Sequence, residues 1–163
     1  MSSSPSIDAP APPSSAGPKD RFYESQALRL HYADWGNNAA PPLILVHGGR
    51  DHCRSWDAVA RALQPHFHVM APDLRGHRDS DRTKGSSYSL SDYVYDLTRL
   101  VRSASVHQTA IVGHSMGGMI GLMYAGTYPD SIASCGLGRC DSPAWVPANT
   151  DPRTDHGVGY AAR

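Results

Sequence analysis

With 163 residues, a formal net charge of zero and 40% apolar residues, the chain has the size of one domain, and its scattered charges lack the basic bias that nucleic acid would demand. No apolar run approaches the roughly 18 residues needed to cross a bilayer, so no membrane span is expected. Three cysteines (Cys53, Cys135, Cys140) are too few for a disulfide framework and form no CxxC pair, which points to a soluble, cytoplasmic protein that uses no metal or other cofactor.

From the N-terminus, Met1 to Lys19 are rich in Ser, Pro and Ala, with neither a basic start nor an apolar stretch. Residues 1–20 therefore read as a disordered tail rather than a signal peptide, and folded structure starts near Arg21. "ALRLHYADWG" alternates Leu28, Leu30 and Tyr32 with more polar neighbours, as a strand with one exposed face does. "PPLILVHGG" differs: Leu43 to Val46 is unbroken and ends in glycines, which suits a central strand buried on both faces. Trp56, Val59, Ala60 and Leu63 then share one helical face. "HFHVMAPD" is a second short central strand, on which His66 and His68 at i, i+2 share a face without an evident third metal ligand. Asp73 and Arg75, in "PDLRGH", read as ties for the loop at that strand's end.

Leu90, Tyr93, Val94, Leu97, Leu100 and Val101 follow helical spacing after Ser89, a cap with Asp92 three residues on. Asp96 falls on that helix's polar side and is expected in solvent. "TAIVG" is another buried strand, and Met116, Met119, Ile120, Met123 and Tyr124 repeat the helical spacing behind it. Strands alternating with helices predict an α/β fold, a mostly parallel sheet with helices on both faces, over residues 21–138. Beyond Pro129 one weak strand, Ile132 to Leu137, is expected to break at Gly136. Residues 139–163 show no periodicity and read as an irregular tail.

Gly113-His114-Ser115-Met116-Gly117 fits G-x-S-x-G, between an apolar strand and an amphipathic helix. In that setting the turn forces the serine into a strained conformation that aims its oxygen off the sheet edge. Gly113 and Gly117 leave room for the turn, while Gly118 and Gly121 let the helix lie close to the strands. The plainer reading is a glycine-rich turn whose serine only caps the helix. His47-Gly48-Gly49, directly after the central strand, adds a second element: backbone N–H groups there and at Met116 can hold a developing oxyanion. His47 is expected to brace that loop, and His114, next to the serine on a sharp turn, points away from it.

"LILVHGG", "VMAPDLRGHRDSD", "YVYDLTRLV" and "AIVGHSMGGMIGLMYAGTYPD", in that order, resemble the N-terminal half of an α/β-hydrolase, in the branch with esterases and lipases, so the fold is expected to be incomplete and C-terminally truncated. The resemblance implies strand order 1-2-4-3-5-6-7-8, a cap inserted after strand six and a Ser–acid–His triad. Ser115 matches the nucleophile, Gly113, His114 and Gly117 its elbow, and Gly49 and Met116 the oxyanion donors. Relatives with an Asp nucleophile act on epoxides, so a serine implies acyl transfer on a small ester-like molecule. Two departures stand out. Arg78 replaces a glycine of the family pattern, and the family's late strands and histidine lie beyond the point where periodicity is lost. Of the acids Asp130, Asp141, Asp151 and Asp155, Asp141 follows the sixth strand; His156 is the histidine available after Ser115. The competing reading is a catalytically inert α/β module. An incomplete sheet also predicts self-association through its exposed edge.

Overall fold

The computed structural model describes residues 17–139 and 142–146. Asp141, Asp151, Asp155 and His156 lie outside them. Seven strands form one sheet: β1 (Lys19–Ser25), β2 (Leu28–Asp34), β3 (Pro42–Val46), β4 (His68–Pro72), β5 (Thr109–His114), β6 (Ile132–Arg139) and β7 (Ser142–Val146). Three helices connect them: α1 (Asp57–Leu63), preceded by a 3-10 turn at Cys53–Trp56, α2 (Leu90–Ser103) and α3 (Met116–Thr127). The order across the sheet is β1-β2-β4-β3-β5-β6-β7, and through β6 it is the order the family resemblance implies.

The centre is parallel, with β3 between β4 and β5, and β6 beside β5. The edges are antiparallel: β1 with β2, β2 with β4, and β7 with β6. The β1–β2 hairpin turns through Gln26 and Ala27, both at positive φ (48° and 60°), the handedness that matches strand twist in a two-residue turn.

Alternation along β3 divides the core. Ile44 and Val46 point to one face, with Ile111, Leu97, Leu100, Ile120 and Tyr124. Leu43 and Leu45 point to the other, with Val69, Ala71, Trp35, Cys53 and Ala60. Burying both faces of one strand is why that segment reads as an unbroken apolar run.

Five expectations are corrected. Val59 does not share the inward face of Trp56, Ala60 and Leu63 but is exposed on the outside of α1. Asp96 is 1% exposed, not solvated: its carboxylate accepts from Arg75 Nε at 2.6 Å and Arg75 Nη2 at 2.7 Å, across to the loop after β4. Helical spacing placed a carboxylate on the polar side but could not show the guanidinium that meets it. Met119 and Met123 do not join Ile120 and Tyr124 in the core; the face of α3 on the sheet is Gly117, Ile120, Gly121 and Tyr124. Glycines let that helix approach closely, so the larger side chains turn outward. Gly136 does not break β6, which runs on to Arg139 because Gly136 pairs with Val112 on one side and Trp145 on the other. His66 precedes β4 and is exposed, while His68 is buried with its Nε2 3.0 Å from Asp34 Oδ1, so the two share no site. A further strand, β7, stands where no periodicity announced one, two residues after β6 and where the resemblance puts a cap.

Candidate active site

Ser115 occupies the tip between β5 and α3, exposed, at φ 51° and ψ −118°. A non-glycine residue in that region costs about 1–3 kcal/mol and persists only where its surroundings enforce it. The enforcement is visible in the glycines around it. A β-carbon on Gly117 would overlap the carbonyl groups of Val46 and His47, and one on Gly113 would overlap the backbone of Gly117 and Gly118. The strand, the helix start and the end of β3 are therefore in backbone contact, and the turn between them has no slack.

The loop after β3 lies against this tip. A β-carbon on Gly48 would stand 3.0 Å from His114 Nδ1 and 3.3 Å from Ser115 Cβ, and one on Gly49 would stand 4.0 Å from Met116 Sδ. His47, fully buried, sets the loop's orientation. The Leu74 N–H donates to His47 Nε2 at 3.0 Å, so the ring proton is on Nδ1, which donates to the Gly48 carbonyl at 2.6 Å. Burial, followed by the neighbouring His77, holds the His47 imidazole below the usual range and keeps it neutral, as both bonds require. The Gly48–Gly49 peptide is trans, so with its carbonyl held by His47 its N–H points the opposite way.

Arg50 and Arg78, on the loops after β3 and β4, are both non-glycine residues at positive φ (64° and 38°), and Arg78 stands where the family pattern has glycine. They sit on loops that are stitched together, with the Arg50 N–H 3.3 Å from His77 Nε2 and Arg78 Nη1 3.4 Å from His52 Nδ1.

Beneath these loops lies a cluster that no sequence spacing announced. His31, Cys53 and Asp73, all buried, come from three separate segments and bring their polar atoms within 4.8 Å of one another. Asp73 accepts from His31 Nδ1 at 2.7 Å and from the Cys53 N–H at 2.7 Å, while His31 Nε2 is 3.0 Å from Asp20 Oδ1. Burial alone would lift the Asp73 pKa, but its hydrogen bonds from His31 and Cys53 hold it below the ordinary range. Burial alone would lower that of His31, and the two flanking carboxylates raise it instead. The Cys53 thiol is driven upward by burial and by Asp73, so it is no thiolate nucleophile. These donor types are ones a metal can use, yet each is already satisfied by the others, and the cluster works as a clamp tying β1 and β2 to the loop after β4. Asp73 thus fits the tie expected of it, and Arg75 does so through Asp96.

No histidine among the described residues is hydrogen-bonded to Ser115 Oγ. Asp130, a candidate acid, follows the far end of α3, whose twelve residues span about 18 Å from Ser115. Asp141 and His156 fall outside the described residues.

The profile of the alpha/beta hydrolase fold family matches residues 41–138, which include both the loop after β3 and the turn at Ser115. Serine hydrolase-like protein of Homo sapiens is 32% identical over 99 residues, 60% of this chain and 49% of that protein. Epoxide hydrolase 4 of Mus musculus is 32% identical over 110 residues, 67% of this chain and 31% of its own length. Among solved structures, a membrane phospholipase A described as a bacterial virulence factor superposes with a TM-score of 0.72 at 29% identity, over 74% of this chain and 39% of that one. The chain spans less than half the length of each of these three proteins.

Proposed function

We propose, from the premise that this chain belongs to the alpha/beta hydrolase fold family, that it carries the nucleophile and oxyanion half of a serine hydrolase acting on small carboxylic esters or related acyl compounds. The single observation that carries this reading is the exposed, strained Ser115 packed against the loop of Gly48 and Gly49. In the proposed reaction the Ser115 oxygen attacks the acyl carbon as a base takes its proton. The carbonyl oxygen gains charge and is held by the N–H groups of Gly49 and Met116, a kind of donor worth about 3–4 kcal/mol of barrier each. His47 supports that assignment, since it occupies the carbonyl of the same peptide whose N–H is to serve as donor. The alkoxide leaves with a proton, and water attacks the acyl-enzyme by the same route in reverse.

The acid and base we assign are Asp141 and His156. Gly138 pairs with His114, so the chain leaves β6 at the edge where Ser115 stands, and Asp141 follows two residues past Arg139. His156 comes ten residues after Val146, enough for a reach of up to about 35 Å. A serine hydroxyl at position 115, where the family's epoxide-opening members carry an aspartate carboxylate, favours acyl over epoxide chemistry. The name phospholipase A, borne by one structural neighbour, is consistent with an ester substrate.

A fluorophosphonate probe tests the proposal. One equivalent should label the wild-type chain, Ser115→Ala should take up none, and His156→Ala should slow labelling by several orders of magnitude, as loss of a triad histidine does. A folded wild-type sample that stays unlabelled would overturn the proposal and favour the inert-module reading.

A further inference from the structure

Gly49 is exposed and hardly held by packing: a β-carbon there would meet nothing nearer than Met116 Sδ at 4.0 Å. The Ser115 side of the site differs, locked by the backbone contacts of Gly113 and Gly117. Hydrogen bonds therefore have to fix Gly49, and each of its two peptides meets an imidazole. His47 Nδ1 donates to the Gly48 carbonyl of the peptide before it. The N–H of the peptide after it, that of Arg50, donates to His77 Nε2 at 3.3 Å. Accepting there leaves the His77 ring proton on Nδ1, which donates to the Arg75 carbonyl at 3.1 Å. Both nitrogens are thus engaged, and His77 has none left to take a proton from Ser115. The two imidazoles stand edge to face with centroids 5.0 Å apart, and both lean on one turn. Its first residue, Leu74, donates its N–H to His47 Nε2, and the His77 N–H closes the turn on the Leu74 carbonyl at 2.9 Å.

We infer that His77 is a positioning residue for the Gly49 N–H as oxyanion donor, an inference that rests on the serine-hydrolase reading of Ser115. With a planar peptide on each side, Gly49 can turn only about the two bonds at its α-carbon, so holding both planes fixes where its N–H points. Arg50 is the reason the second plane needs holding. At φ 64° it is in a strained region that persists only where the surroundings enforce it, and His77 is what its N–H meets. Without that acceptor Arg50 relaxes and turns the Gly49–Arg50 peptide, which carries the donor away from the developing charge it must meet.

The test compares the wild type with two amide variants: His77→Gln, whose side-chain oxygen reaches the Nε2 position, and His77→Asn, which ends short of it. The readouts are hydrogen exchange at the Arg50 amide and saturable fluorophosphonate labelling, split into initial probe binding and maximal rate. In the wild type the Arg50 amide should exchange at least about tenfold more slowly than a free amide. His77→Asn should abolish that protection and lower the maximal rate by about ten- to a hundredfold, less than the 10²–10³ lost with a whole donor. Initial probe binding and the circular dichroism should stay unchanged, and His77→Gln should recover the protection and most of the rate. An Arg50 amide that exchanges freely in the wild type overturns the inference, whatever the variants do. So does a His77→Asn chain labelled at the wild-type rate, and so do two variants slowed alike; each of these leaves the reading of Ser115 intact. A wild type that takes up no probe fails at that reading instead, and the inference falls with it.

Discussion

Gly117 shows how much of the site is decided by the space of one methyl group. Its α-carbon rests against the carbonyl groups that end β3, so Gly117→Ala must push backbone against backbone. We expect a loss of at least about 3 kcal/mol in denaturant unfolding, beyond the 1–3 kcal/mol of ordinary overpacking because no flexible side chain can yield. His31 makes a different prediction. Its pKa is raised in the fold, so its contribution is complete below the unfolded value near 6.5 and is lost as pH rises through the folded value. Asp73, depressed, contributes above about pH 3.9 and loses its contribution as pH falls. His47, also depressed, opposes folding only below about pH 6.5, where the unfolded chain takes up its proton. Above that pH the slope among these three belongs to His31. Stability measured from pH 6.5 to 7.5, below the range in which the unfolded cysteines ionise, should therefore fall in the wild type and stay level in His31→Gln; parallel curves would remove His31 from the account. G-x-S-x-G and His47-Gly48-Gly49 were legible in the sequence because each depends on neighbours in the chain. The His31–Cys53–Asp73 cluster was not, because its members lie 20 or more residues apart and meet only when β2 and β4 pair.

At the scale of elements, α2 is the clearest case of agreement between sequence and structure. Ser89 and Asp92 form the reciprocal capping box that their spacing predicts, with the Ser89 N–H on Asp92 Oδ2 at 3.0 Å and the Asp92 N–H on Ser89 Oγ at 3.2 Å. Ser89→Ala should cost about 1 kcal/mol in thermal or denaturant unfolding. The opposite face of the helix gives a larger effect. Arg75 is 1% exposed and shares two hydrogen bonds with Asp96, while also donating to the Ser87 carbonyl at 3.0 Å. Arg75→Met leaves that carboxylate buried without its charge partner, and we expect a loss of about 3–5 kcal/mol by the same measurement. Arg75→Met with Asp96→Leu should recover much of it, since an apolar pair of similar volume need not be worse than a buried ion pair. Helix α3 is where periodicity misled. Its apolar residues recur on every side, so spacing alone did not select the buried face; the glycines did, by fitting the sheet.

For the whole molecule, one sheet holds two apolar clusters apart and also joins them. Leu97 belongs to the cluster under α2 and α3, whereas Trp35 and Trp56 lie on the face of α1. Adjacent residues of β3 serve both, so neither cluster can come apart without releasing that strand. Leu97→Ala should therefore shift the unfolding midpoint, by about 2–5 kcal/mol, equally by tryptophan fluorescence and by circular dichroism. Two separate midpoints would show that the faces unfold independently. The same connection explains the placement of the site. Parallel β3 and β5 deliver Gly48 and Ser115 to one edge of the sheet, and Gly138 of β6 stands beside His114 at that edge as well.

By itself, the sequence determined the local features: which segments are central strands, where α2 begins, and that Ser115 stands in a turn too tight for anything but glycine at its flanks. These follow from residues that touch their neighbours along the chain. Tertiary structure alone decided which carboxylates are buried, which side of α3 faces out, and that Gly136 lies within a continuous strand. Each of those depends on a partner from a distant segment: a guanidinium for Asp96, the sheet for the glycines of α3, and two flanking strands for Gly136.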